Sequence, residues 1–122
     1  MTESRLMAAC LKMLRAELPG AVIFKHADAR SSGVPDVSIT WRGKTIWIEF
    51  KFGSTIKWAN GLQQLTCRRL AHAGACWVVL YKEHGNAIRQ TYILTPDEQE
   101  MEYCIGFSHR FVVDFVKGQH AA

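Results

Sequence analysis

Asp36, Glu49 and Lys51 are the residues of this chain whose types and spacing point to chemistry. The segments Val37-Ser-Ile-Thr-Trp41 and Thr45-Ile-Trp-Ile-Glu-Phe-Lys51 alternate apolar and polar residues, and Arg42-Gly43 between them makes a tight turn, so together they predict a β-hairpin. With Arg42 and Gly43 as the central turn residues, Asp36 falls opposite Glu49. Val37 then faces Ile48 and Ile39 faces Ile46 on one side of the sheet, while Thr40 faces Thr45 on the other, a sorting that a one-residue slip would destroy. A two-residue slip stays open, since Arg-Gly is a weaker turn signal than Asn-Gly, and it leaves the carboxylates as diagonal neighbours. Facing carboxylates repel each other, and a divalent cation reverses the sign of that interaction. Magnesium prefers hard oxygen ligands, commonly one or two carboxylates completed by water and phosphate. Lys51 projects to the same side as Glu49, where its ammonium would hold an attacking water or hydroxide and balance charge on a phosphate; the Phe50 carbonyl between them is a further candidate ligand. The alternative is a turn carboxylate after Pro35 and a solvated strand face at Glu49 and Lys51.

The elements that must position these groups follow from periodicity. Leu6, Met7, Cys10, Leu11, Leu14 and Leu18 recur at helical spacing over residues 4 to 18, with Thr2 or Ser4 as cap and Pro19-Gly20 as terminator. Ala21 to His26 predicts a short strand and Ala27 to Gly33 a loop. After the hairpin and a polar loop from Ser54 to Gly61, a candidate substrate flap, Asn60 caps a helix to about Ala73, ended by Gly74. Cys76 to Lys82 is continuously apolar and predicts a strand buried on both faces, with Ala87 to Leu94 as partner. Thr95-Pro-Asp-Glu98 carries the features of a helix start, and a short helix is expected after it. Phe111 to Val116 fits either period. The predicted order is α-β-β-β-α-β-β-α, an α/β fold with one mixed sheet flanked by helices.

Length and composition set the outer bounds. A chain of 122 residues, 48% hydrophobic and 21% charged, suits one globular domain spanning 1–122. No apolar run reaches membrane-spanning length. Glu3, Lys12, Arg15 and Glu17 interrupt what would have to be the core of a signal peptide, so a cytoplasmic protein is expected, in a host cell if the gene is viral. Cys10, Cys67, Cys76 and Cys104 lack the spacing of a structural zinc site and are expected as reduced, mostly buried thiols. The net charge of +4 permits a polyanionic partner.

Gly33-Val-Pro-Asp36, followed by Ile48-Glu-Phe-Lys51 with Glu49 thirteen residues after Asp36, resembles the signature of the PD-(D/E)xK nuclease superfamily. Within it the chain is similar to stand-alone VRR-NUC domains, in which a glutamine opening the next helix is followed by leucine seven and glycine eleven residues later; Gln63, Leu70 and Gly74 fit. A glutamate on the first helix is also usual, and Glu3 continues the stripe of Met7, Cys10 and Leu14. The likeness covers Glu3 to Lys82. It implies a restriction-endonuclease-like core and a metal-dependent endonuclease acting on DNA, structure-specific for branches or junctions, that leaves a 5′-phosphate and a 3′-hydroxyl. By the same resemblance Asp36 and Glu49 would ligate magnesium or manganese, Lys51 would serve the nucleophile, Gln63 would orient Lys51, water or phosphate, and Glu3 would be an outer or second-metal ligand. Asn60-x-x-Gln63 is also a capping-box pattern, with Gln64 as an alternative in registration; Glu3 is also a favourable charge at a helix start, with Glu17 a weak substitute.

Lys25, His26 and Arg30 before the motif, and Lys44, Lys57, Arg68 and Arg69 after it, are candidates for phosphate contact. Trp47 and Trp58 are candidates for stacking on an unpaired base, although Trp47 also suits packing beside the site. His72, His84, His109 and His120 receive no role. DNA is the expected partner, with no membrane and no organic cofactor. A small nuclease that cuts two strands needs two active sites, so a homodimer is expected, built through the C-terminal tail. A binding module of the same fold without activity, and an interaction protein whose acidic pair is accidental, are the other two readings.

Overall fold

A computed structural model of the chain describes residues 2–26, 33–86 and 88–121. Helix α1 (Glu3–Glu17) opens the fold, with the Thr2 hydroxyl accepting from the Arg5 amide as its cap. Strand β1 (Val22–Lys25), the hairpin of β2 (Val37–Trp41) and β3 (Lys44–Gly53), helix α2 (Gly61–His72) and strands β4 (Cys76–His84) and β5 (Ile88–Leu94) follow; β6 (Met101–Ile105) and α3 (His109–Ala121) complete the chain. Six strands form a single sheet in chain order, antiparallel everywhere except between β3 and β4, which α2 joins as a crossover. Among the described residues no helix is long and apolar enough to cross a membrane.

The hairpin has the expected register: Val37 pairs with Ile48, Ile39 with Ile46 and Thr40 with Thr45. Arg42 and Gly43 both take positive φ, +51° and +77°, the backbone that lets a two-residue turn follow the twist of its strands. Period-two patterning then sends Ile46, Ile48 and Phe50 to one face, where they join Leu6, Leu11 and Leu14 of α1 and Val112, Val113 and Val116 of α3 in one core. Glu49 and Lys51 emerge on the other face, beneath the start of α2, which packs on β4. The strand expected over Cys76 to Lys82 is buried from both sides as far as Tyr81 and emerges toward His84, and all four cysteines are free thiols, three of them buried.

The sequence departs from the structure at Thr95-Pro-Asp-Glu98. No helix starts there: the segment is the turn of a β5–β6 hairpin, and the order is α-β-β-β-α-β-β-β-α. The Thr95 hydroxyl that would cap a helix bonds Asp97 Oδ1 and the backbone of Glu100, while Glu98 sits at φ +62°, which closes the turn. Met101, Tyr103 and Ile105 then alternate outward along the new strand. The tail that fitted both periods is helical. Its apolar face is spent against α1, and His120 anchors its end through both ring nitrogens to the carbonyls of Val116 and Ile39.

Candidate active site

β3 runs five residues past its last pairing with β2, from Glu49 to Gly53. Beyond Val37 and Ile48 no backbone among the described residues pairs with β3 on that side, and side chains take over the work of the ladder. The Asp36 carboxylate accepts from the Phe50 amide at 2.8 Å, while Glu49 Oε1 accepts from the Asp36 amide at 3.0 Å. One step further on, the Phe52 amide points to Glu3 at the start of α1. Along a strand the N–H and C=O of one residue point to the same edge, so the Phe50 carbonyl lies on this edge too, between the carboxylates of Asp36 and Glu3. The predicted opposition of Asp36 and Glu49 is thus present, each carboxyl accepting from a backbone amide of the facing segment and bearing on the charge of the other.

Crowding of like charges out of water has the expected electrostatic cost. Glu49 is 1% exposed, and burial, with the facing Asp36 second, pushes its carboxyl up to about 7 against the pull of Lys51. Burial likewise raises Asp36, which the Phe50 amide, Lys51 and Lys25 pull down. Glu3 is raised by burial first and by Asp36, and lowered by Lys51 and the Phe52 amide. An oxygen-rich pocket in which every carboxyl is held above its ordinary range gains from a cation. The donor set, two or three carboxylates and a carbonyl, is of the hard kind that magnesium or manganese takes. Among the described residues there is no group of three or more His, Cys, Asp or Glu placed to hold a metal ion together.

The N-terminus of α2 completes the site. Asn60 caps it by accepting from the Gln63 amide at 2.8 Å, which frees the Gln63 side chain to turn inward. Gln63 Nε2 donates to Glu49 Oε2 at 2.9 Å, and Gln63 Oε1 accepts from Lys51 Nζ at 3.2 Å and from the Ala59 amide at 3.0 Å. Lys51 Nζ also lies 3.2 Å from Glu49 Oε2. Gln63 thus follows an Asn60 cap, but its side chain accepts from the Ala59 amide rather than from the Asn60 amide of a capping box, and it also bonds the lysine. Gln64 makes no such contact.

Gly33 explains how the helix comes this close. At φ +83° it sits against the first turn of α2, where a Cβ would meet the Leu62 carbonyl oxygen at 2.7 Å. The glycine that opens Gly33-Val-Pro-Asp36 thus holds Gln63 to the strand that carries Lys51.

Of the other candidates, Lys25 lies near enough to Asp36 to lower its carboxyl. Trp58 brings its ring within 5.5 Å of Lys51 Nζ, with its indole N–H buried and without a partner among the described residues. Lys57 is exposed in the same loop, whereas Arg68 turns away to line a hollow with the 95–100 turn. Arg30 lies outside the described residues. Glu17 is elsewhere, tied to Arg110 and Lys117. Sequence reasoning did not find the amides of Phe52 and Ala59, which carry no side-chain signal, nor the bond from His26 Nε2 to Ser38 Oγ at 2.9 Å.

This sheet, with α1 and α3 on one face and α2 on the other, is a resolvase or restriction-endonuclease-like fold. Among solved structures it is similar to Hjc, a Holliday junction resolvase from the archaeal hyperthermophile Archaeoglobus fulgidus, with a TM-score of 0.50, 13% sequence identity and 92% of each chain covered. No protein-family model matches the chain, and no curated protein matches it in sequence.

Proposed function

We propose that this chain is a Mg- or Mn-dependent endonuclease that hydrolyses phosphodiester bonds of branched or junction DNA. The observation that carries the reading is the closed set of bonds linking Lys51, Gln63 and Glu49 beside Asp36. A lysine buried to 8% exposure, fixed by an amide and a carboxylate, has the position of a group that holds a nucleophile. Asp36 and Glu49, with the Phe50 carbonyl and Glu3 at the margin, would hold the metal, which when bound acts as Lewis acid on the phosphate. Lys51 Nζ orients the attacking water and offsets charge that gathers on the phosphate oxygens. Gln63 keeps that ammonium from swinging onto either carboxylate alone. Loop 54–60 shields the far side through Trp58. The finer likeness to VRR-NUC domains rests on Gly33 to Asp36, Glu49, Lys51, Gln63, Leu70 and Gly74, and junction DNA is supported by the similar protein's being a Holliday junction resolvase.

Cutting two strands calls for two copies. With the apolar face of α3 already packed on α1, the surface left in the tail is β6, whose Met101, Tyr103 and Ile105 are 61%, 56% and 87% exposed. We place the homodimer contact there.

The test is cleavage of plasmid, forked and four-way-junction DNA with magnesium or manganese. Lys51→Ala and Glu49→Gln are each expected to lower the rate by at least about a thousandfold while DNA binding persists. Binding without cleavage by the unaltered protein in either metal would establish an inactive binding module instead.

A further inference from the structure

Three ranks of cross-strand neighbours lie on the face that carries Glu49. Val22 pairs with Thr40 and Thr40 with Thr45; Phe24 pairs with Ser38 and Ser38 with Trp47; the His26 amide bonds the Asp36 carbonyl opposite Glu49. The last rank is the site. The two before it form a surface that α2, seated on β4, leaves open, with Val22 50% and Phe24 58% exposed. The His26 ring is held by Ser38 and stacks on Trp47 at 5.2 Å and 28°, with Phe24 beside it at 6.3 Å. An aromatic strip thus runs from the edge of the sheet to the carboxylates.

The charge around the strip selects its partner. Among the described residues of β1 to β3 the carboxylates are those of the site, and the cations are Arg42 at the turn, Lys51 in the site, and Lys25 and Lys44, which alternate to the opposite face of the same end, Lys44 donating to the Gln119 carbonyl. The opposite end of the sheet carries Glu83, Asp97, Glu98, Glu100 and Glu102 against Lys82 and Arg89, with Arg89 paired to Glu83, and so keeps an excess of negative charge. A polyanion is drawn to the first end and repelled from the second. Flat rings with fixed orientation beside such a potential suit unpaired bases, whose faces stack without regard to sequence, whereas a duplex keeps its base faces covered.

We infer that the β1–β3 face, through Phe24 and the His26–Trp47 pair, is a stacking platform for an unpaired nucleic-acid strand that continues from the scissile phosphate. The inference rests on the nuclease reading of the site and adds the single-stranded flank as the substrate feature it reads.

Fluorescence anisotropy without divalent metal, using labelled oligo-dT and a blunt duplex, tests it. Phe24→Ala is expected to weaken oligo-dT binding by about tenfold, Phe24→Trp to retain it, and duplex binding to change by less than about twofold. Circular dichroism and thermal melting would verify that the exposed position tolerates these changes. Equal loss for oligo-dT and duplex, or no loss for either, overturns the platform. So does conversion of a dimer to a monomer by Phe24→Ala in sedimentation, which would assign the face to a second copy of the chain. Phe24-dependent oligo-dT binding in a protein that cuts no DNA or RNA with magnesium would support the platform while the catalytic reading fails. Metal-dependent cleavage with Phe24-independent binding would do the reverse.

Discussion

Two stretches of strand edge, the outer side of β6 and the part of β3 that runs past the end of β2, are built from the same kind of backbone and have opposite properties. β6 is paired along its whole length with β5 and leaves its outer side bare, with apolar side chains flanked by Glu100 and Glu102. At the other end β2 stops short, so the amides of Phe50 and Phe52 fall to Asp36 and Glu3, and the cationic half of the sheet lies alongside. An edge that is merely bare invites another strand. An edge whose ladder is replaced by carboxylates gathers charge in a partly dry place, and this difference separates a surface for association from a site for chemistry.

The largest blow to the chemical edge that leaves its ionisable groups in place is Gly33→Ala. The added Cβ would strike the Leu62 carbonyl in a left-handed backbone, with a cost of about 3–4 kcal/mol by urea denaturation and a slower cleavage as Gln63 is pushed from Lys51. A pH series sharpens the contrast next. Glu49 has a folded pKa near 7, above its ordinary 4.5, so the fold holds a proton that the unfolded chain releases. The metal-free protein should therefore lose stability, on the order of 2 kcal/mol, as pH rises from about 4.5 through 7. Magnesium should restore more of the Tm at pH 8 than at pH 5. Glu17 acts with the other sign: Arg110 and Lys117 hold its carboxyl down to about 2, so its contribution is present above 4.5 and fades only as pH falls toward 2. Denaturation curves can thus separate the two windows. The smallest effect belongs to β6: Tyr103→Lys with Ile105→Lys should change unfolding free energy by less than about 0.5 kcal/mol while sedimentation shifts from dimer to monomer.

The contrast between the edges was only half legible in the sequence. The hairpin register followed from Ile39, Ile46, Val37 and Ile48, since a slip would have turned apolar groups to the wrong face, and Asp36 and Glu49 came with it. The Gln63 contacts were suggested only by family likeness, against which the Asn60-x-x-Gln63 capping pattern offered a competing reading. β6 was missed because the side chains that start a helix, Thr95 and Asp97, also close a tight turn, and the choice falls to the strand that β5 offers as a partner. Its own period-two signal, Met101, Tyr103 and Ile105, was short and easily outweighed. The aromatic strip could not be read in advance. Phe24 and Trp47 become neighbours only through the β1–β2 pairing, whose connection carries no register signal comparable to a two-residue turn.

The chain order of the strands bears on how the molecule comes to life. Each ladder joins consecutive strands, so the fold closes few long loops and should form quickly for a sheet protein. Asp36, Glu49, Lys51 and Gln63 arrive together in one hairpin and the helix after it. Glu3 alone must wait for α1 to dock, which makes its approach to Phe52 a late event in folding and a natural reporter on whether the whole chain has assembled.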